Sequence, residues 1–250
     1  MLRKKIEKIK GPSGREWKDV SISQDGRYGA PGEGRKIREK LTPEQMARQN
    51  HQNKIRKIWQ LIRGNFREGD RWITVTYRKG ERPDWDTGLK QLANFRKRVS
   101  YWFRKREIPI RMMYSIEHGS KGAIHMHMLL NDIEGVNIDR ILQSLWKHGQ
   151  IHTTSLYDSG DYKDLAEYMG KGEKYGHSQG MQMPKAEKPR LITRADLMDY
   201  PKPEKGWRVL EKTISEGVNP VTGSPYLRYT MIREPESPKK RKRKRRCSSA

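Results

Sequence analysis

The spacing of apolar positions separates a regularly patterned middle of the chain from two ends without a clear pattern. Residues 42–65 are predicted to form a helix, because Thr42 offers an N-cap, Pro43 suits the first helical position, and apolar residues then recur at helical spacing. Arg71–Tyr77 is a run of β-branched and aromatic residues that is typical of a strand. A second amphipathic helix, with a basic outer face, is predicted over about 86–105.

The same patterning continues through the rest of the middle segment. Five further elements are predicted, namely strands over 110–117 and 123–130, a helix over 138–147, a strand over 150–156 and a helix over 161–171. The resulting order β-α-β-β-α-β-α predicts an α+β domain. Its expected architecture is a small, mainly antiparallel sheet with helices packed on one face.

Composition excludes several classes of protein. The chain has 250 residues, enough for a substantial core, and no apolar stretch of the length that a transmembrane helix needs. Its basic start is not followed by the apolar region of a secretory signal. The single cysteine, Cys247, excludes an internal disulfide framework and a cysteine-ligated structural zinc site. We therefore expect a soluble protein of a reducing cytoplasm.

The net charge of +24 is concentrated at the two ends of the chain. Residues 1–65 carry 17 basic and 7 acidic side chains, and all eight residues of 239–246 are basic. We predict a basic disordered arm over 1–41, then the helix over 42–65, a folded domain over 66–178, a Pro/Gly-rich segment over 179–238 and a basic tail over 239–250.

Such an excess of positive charge favours a polyanionic partner, and nucleic acid is the natural one. The alternative for the tail is a solvated segment without a specific partner. The DNA-binding residues expected in the tail are Lys239, Lys240, Arg241, Lys242, Arg243, Lys244, Arg245 and Arg246.

The predicted hairpin carries a candidate metal site. His125 and His127 are two residues apart, so both project from one face of the strand while the apolar residues between them face the core. If residues 118–122 form the loop, Glu117 lies opposite Ala123 and diagonally near His125. One carboxylate and two imidazoles can hold a divalent ion with coordination positions left open for substrate. The alternative is two surface histidines on a half-exposed strand.

The last predicted helix carries a candidate nucleophile. Tyr168 and Lys171 are separated by one helical turn and lie on the same side, whereas Leu165 and Met169 form the buried stripe. An ammonium beside a phenol favours the phenolate and can hold a phosphate oxygen, which suits attack on a phosphodiester. The alternative is a half-buried tyrosine beside a solvated lysine.

The ordered set of these segments resembles the HUH endonucleases that initiate rolling-circle replication. The set comprises WITVTY, a strand ending in Ile-Glu, then GAIHMHMLL, then a helix reading LAEYMGK. It is most similar to the replication-associated proteins of small bacterial plasmids and phages, the group that includes the filamentous-phage gene II protein. Residues 50–77 and 200–232 resemble further segments of those proteins, so the similarity extends from roughly 50 to 232.

This resemblance implies an HUH endonuclease domain over 66–178 and a replication initiator. It implies a metal site for Mg²⁺ or Mn²⁺ formed by Glu117, His125 and His127. Tyr168 is then expected to attack the scissile phosphate of single-stranded origin DNA, which gives a 5′-phosphotyrosyl link and a free 3′-OH. Lys171 is expected to stabilise charge on the phosphate. Tyr162, six residues before Tyr168, is expected to pack rather than to act as a second nucleophile.

The expected partners are origin DNA, a host polymerase and a host helicase, because the chain has no Gly-x-x-x-x-Gly-Lys-Ser/Thr loop of its own. The expected location is the cytoplasm of a bacterial host cell. Two alternatives are a non-catalytic basic protein that binds single-stranded nucleic acid and a transposase of the same nuclease superfamily. Divalent-metal-dependent nicking of DNA distinguishes the first of these from an endonuclease.

Overall fold

The computed structural model describes residues 2–24, 41–119, 122–157, 162–219 and 224–233. The helices within these ranges are α1 (Pro43–Asn65), α2 (Trp85–Arg104), α3 (Ile138–Leu145), α4 (Lys163–Lys171) and α5 (Arg194–Leu197). The strands within them are β1 (Leu2–Lys10), β2 (Glu16–Gln24), β3 (Arg71–Tyr77), β4 (Met112–His118), β5 (Ile124–Leu130), β6 (Gly149–Ser155), β7 (Lys174–His177), β8 (Lys185–Ala186), β9 (Arg190–Ile192), β10 (Arg208–Val218) and β11 (Pro225–Arg233).

The central sheet has the strand order β6-β3-β5-β4-β7, and every neighbouring pair in it is antiparallel. The predicted α+β class with a mainly antiparallel sheet is therefore confirmed. α2 and α3 cover one face, where Ile73, Met126 and Met128 are fully buried. α1 and α4 pack on the opposite face against Met113 and Leu129, so the helices occupy both faces rather than one. The difference arises because strand side chains alternate between faces, and both sets are apolar at these positions.

Local capping explains where the helices begin. The Thr42 hydroxyl accepts a hydrogen bond from the Gln45 backbone, and the Gln45 side chain accepts one from the Thr42 backbone, so the predicted N-cap is part of a capping box. Asp84 caps α2, and Asn137 caps α3.

The two ends of the chain form a second sheet, here called the terminal sheet. Its order is β10-β11-β2-β1-β8, and β9 also pairs with β1. The prediction of a disordered arm over 1–41 is wrong for residues 2–24. β2 pairs with β11 from the far end of the chain, and the apolar residues of β1, β2 and β11 form one buried cluster. The segment 179–238 likewise contains β8 to β11. The tail over 239–250, with its eight predicted DNA-binding residues, lies outside the described residues.

α1 connects the two sheets through a buried ion pair. The Asp19 carboxylate of β2 accepts two hydrogen bonds from Arg63, at 3.0 and 2.7 Å, and one each from Gln60 and Thr230. The Arg63 side chain is fully buried, and its guanidinium stacks 3.7 Å from the ring centroid of Trp59. Burial alone would raise the pKa of Asp19, but the charge of Arg63 and the three hydrogen-bonding neighbours lower it overall.

Among the described residues, none of the helices combines the length and the apolar character needed to cross a membrane.

Candidate active site

The β4–β5 hairpin brings the predicted acidic residue and the two histidines onto one face. Glu117 pairs directly with His125, and the loop lies between His118 and Ile124. The predicted register was wrong by two residues because His118 continues the strand, while Gly122, at a φ of 74°, favours the turn. A shift of two preserves which face each side chain occupies, so the shared face is retained.

His127 lies at the centre of this face and is only 7% exposed. Its Nδ1 lies 3.2 Å from the Thr74 hydroxyl of β3, and its Nε2 lies 3.2 Å from Glu117 Oε1. The Trp72 ring stacks on the imidazole with a centroid separation of 5.3 Å and an interplanar angle of 3°. Burial lowers the pKa of His127, whereas the Glu117 carboxylate acts to raise it. The imidazole is thus held rigidly and favoured in its neutral form.

The side chain of Tyr168 on α4 also reaches His127. Its hydroxyl lies 3.1 Å from His127 Nε2, and its side chain is 40% exposed. Lys171 Nζ lies 5.8 Å from the centroid of the Tyr168 ring. Partial burial and the Glu117 carboxylate raise the pKa of Tyr168. Burial and Glu117 thus favour the phenol form of Tyr168.

Close backbone contacts hold α4 against the sheet. The Ser115 hydroxyl donates a 2.9 Å hydrogen bond to the Met169 carbonyl, and Lys54 Nζ of α1 donates one of 2.6 Å to the Gly172 carbonyl. A Cβ at Gly172 would come within 1.8 Å of Ser115 Oγ, and one at Gly170 within 2.7 Å of a side-chain atom on α1. The sequence pattern indicated no role for Lys54 or Ser115; the glycines flanking Lys171 were the available signal of this close approach.

His125 is the third predicted ligand, but its side chain does not lie together with those of Glu117 and His127. A Cβ at Gly119 would meet His125 Nε2 at 2.2 Å, so the imidazole lies directly over this glycine. Its Nδ1 is buried without a hydrogen-bond partner. Within the described ranges, no three His, Cys, Asp or Glu side chains converge closely enough to hold a metal ion.

Two of the three predicted ligands nevertheless fit a divalent ion. Adjacent ligands of an octahedral ion with bonds of about 2.1 Å lie about 3.0 Å apart, close to the 3.2 Å between Glu117 Oε1 and His127 Nε2. The His125 side chain lies over Gly119 on the same face and would have to rotate to join these two. The residues therefore fit Mg²⁺ or Mn²⁺ in donor chemistry and in backbone placement.

The neighbouring tyrosines lack this environment. Tyr162 precedes α4 and is buried in the cluster that contains Met169, which confirms its predicted packing role. Tyr157 is almost fully exposed, and Tyr175 lies beneath Lys54 Nζ, 5.2 Å from its ring centroid.

Comparison with known proteins identifies the segment that carries this geometry. Residues 70–173 match the family of replication-associated proteins described by ORF2 and the gene II protein. The match runs from just before β3 to just after α4 and contains Glu117, His125, His127 and Tyr168. Neither the curated proteins nor the solved structures provided a match. Residues 70–173 are therefore similar to the replication-associated proteins of the ORF2/gene II family, and the rest of the chain lies outside that match.

Proposed function

We propose that the protein nicks single-stranded origin DNA with Tyr168 as the nucleophile and so initiates rolling-circle replication. The family match supports a role in replication and implies DNA binding. The observation that most supports Tyr168 as the nucleophile is the 3.1 Å contact between its hydroxyl and His127 Nε2. With this contact, the proposed nucleophile is partly exposed and lies beside the atoms proposed to bind a metal ion.

The proposed reaction transfers one phosphoryl group from the 3′ oxygen of the DNA to the tyrosine. Tyr168 Oη attacks the scissile phosphorus, the bond from phosphorus to the 3′ oxygen breaks, and the 5′ phosphate becomes joined to the tyrosine. The phenol proton leaves to solvent, which reaches the 40% exposed side chain, and the departing 3′ oxygen takes a proton from solvent. Later attack of a 3′-OH on the phosphotyrosine rejoins the strands without ATP, because the covalent link conserves the bond energy.

The surrounding residues contribute orientation and charge. Thr74 and Trp72 fix the His127 ring, and Lys171 supplies a positive charge beside Tyr168 for a phosphate oxygen. A divalent ion held by Glu117, His127 and His125 would polarise the phosphoryl oxygens and neutralise the carboxylate that raises the pKa of Tyr168.

Two host proteins are the expected partners of this reaction. The new 3′ end requires a host polymerase, and strand separation requires a host helicase, in the cytoplasm of a bacterial cell.

Tyr168→Phe is the decisive variant because it removes one oxygen. Wild type and variant are incubated with single-stranded oligonucleotides and Mn²⁺, and denaturing gels are used to detect a protein–DNA adduct. Only the wild type should form it, and a tryptic peptide should carry the nucleotide on Tyr168. Tyr175→Phe is the matched control and should remain active.

Two results would contradict the proposal. An adduct on another tyrosine, or an active Tyr168→Phe protein, would remove Tyr168 from its role. Tight binding of the oligonucleotide by the wild type without any adduct would instead support the non-catalytic nucleic-acid-binding alternative.

A further inference from the structure

A row of basic and hydroxyl side chains crosses the terminal sheet on the face that carries Asp19. Lys5, Ser21, Arg228 and Ser215 are successive cross-strand partners on β1, β2, β11 and β10. Cross-strand partners share a face of the sheet. Lys5, Arg228 and Ser215 are exposed, and Ser21 is partly exposed.

α1 adds a second guanidinium to this row. Its residues Arg63 and Gln60 contact Asp19, which lies two residues before Ser21 on β2. Arg56 lies one helical turn before Gln60 on the same side of α1. We therefore expect Arg56 to lie over the part of the sheet that runs from Asp19 toward Ser21 and Arg228. The pKa of Arg228 agrees with this placement. It is lowered mainly by burial and then by the positive charge of Arg56.

The positive charges in this row are not neutralised within the described part of the chain. None of Lys5, Arg56 and Arg228 takes part in an ion pair there. The two carboxylates next along this face, Glu7 and Asp19, are already hydrogen-bonded to side chains of α1. Two guanidinium groups beside hydroxyls and without a counter-charge form a site that an anion would stabilise.

The row lies close to the helix that carries Tyr168. Lys163 of α4 donates a 3.2 Å hydrogen bond to the Lys212 carbonyl of β10, the strand that also carries Ser215. α1 contacts both regions, because Lys54 binds the Gly172 carbonyl while Gln60 and Arg63 bind Asp19 of the terminal sheet. An extended strand bound at Tyr168 could thus continue toward this row.

We propose that Arg56 and Arg228, with the hydroxyls of Ser21 and Ser215, bind phosphates of the single-stranded DNA beyond the cleavage site. The chemical class of the ligand is the DNA sugar–phosphate backbone, so the contact is independent of base sequence. This inference rests on the proposed function for the direction of the strand, but the anion site itself does not require cleavage.

The test is a binding measurement on the full chain with EDTA present to prevent cleavage. Fluorescence anisotropy gives the Kd for a labelled oligo-dT strand of about 20 nucleotides over a range of salt concentrations. The double variant Arg56→Gln/Arg228→Gln should bind about tenfold more weakly, and the slope of log Kd against log salt should fall by about 1.4, or about 0.7 for each lost phosphate contact.

The matched control removes two exposed lysines from the other face of the same sheet. Lys202 and Lys205 flank Glu204, which pairs with Lys18 on that face. Lys202→Gln/Lys205→Gln changes the net charge equally and should leave the salt slope unchanged. Equal losses in the two double variants, or no loss in either, would overturn the proposal. Ser215→Glu adds a negative charge at an exposed position of the row and should weaken binding without unfolding the protein; unchanged binding would also count against it.

Two further measurements separate the possible outcomes. A larger loss on a duplex of the same length than on the single strand would show that the row binds duplex DNA, and would overturn the single-strand assignment. At saturating oligonucleotide with Mn²⁺, wild type and the Lys202→Gln/Lys205→Gln control should form the Tyr168 adduct to the same extent. If wild type forms no adduct, the proposed function fails. The binding of the two double variants in EDTA still shows whether the row binds phosphate.

Discussion

Replacing Asp19 by Asn should cause a large loss of stability, because it leaves the Arg63 charge buried without a partner. The variant retains the volume of the side chain but removes the negative charge that accepts four hydrogen bonds from Arg63, Gln60 and Thr230. Breaking a buried ion pair on one side costs about 3–5 kcal/mol. For a chain of this size, about 2–4 °C of melting temperature corresponds to 1 kcal/mol, so we expect a decrease of roughly 6–20 °C.

The assay is thermal and urea unfolding followed by circular dichroism at several pH values. Because the pKa of Asp19 is lowered in the folded state, its contribution is complete above the unfolded pKa of about 3.9 and is lost as the pH falls through the folded pKa. The difference between wild type and variant should therefore narrow below about pH 4.

Glu187→Gln is the control, since the Lys8–Glu187 pair is partly exposed and is expected to contribute at most about 1 kcal/mol. A loss in Asp19→Asn no larger than in this control would refute the reasoning.

Three other predictions concern the site, the tail and the packing of α4. Glu117→Ala should sharply reduce adduct formation, with partial recovery at high Mn²⁺, and full activity on gels would exclude Glu117 as a ligand. Deletion of 239–250 should weaken DNA binding alike for all sequences and reduce its salt dependence in titrations; loss of cleavage at saturating oligonucleotide would contradict this. Gly170→Ala should destabilise the protein by about 1–3 kcal/mol in unfolding curves, because the new Cβ would lie 2.7 Å from Ile55 Cγ1. Ile55→Ala in the same chain should relieve that contact, and no relief would show that the strain lies elsewhere.

The middle of the fold was predictable because its patterns are local. The strand Arg71–Tyr77 is observed with its predicted bounds, and the predicted N-cap of α1, Thr42, is confirmed. The terminal sheet was missed because β1 has apolar residues only at Leu2, Ile6 and Ile9, between lysines, without strict alternation. Those positions become buried through pairing with distant strands, which no local window of sequence contains.

The site was predictable to the extent that strand geometry alone determines it. The side-chain period of a strand is two, so a register error of two residues still placed Glu117 and both histidines on one face. The contacts of His127 with Trp72 and of Gly172 with Lys54 depend on how separate elements pack. For the same reason the sequence suggested a lowered pKa for Tyr168, whereas its burial and the nearby Glu117 raise it.

The pairing of β2 with β11 also constrains how the chain is made. About 200 residues separate the two strands, and ribosomes add roughly 5–20 residues per second, so about 10–40 s pass between their synthesis. During that interval one edge of the nascent β1–β2 hairpin has no partner, and such an edge invites pairing with other chains. Lys18 and Asp19 place charges on β2 near the middle of that edge, which opposes aggregation until the last strand arrives. Slower translation of the C-terminal segment should therefore lower the yield of folded protein even when the sequence is unchanged.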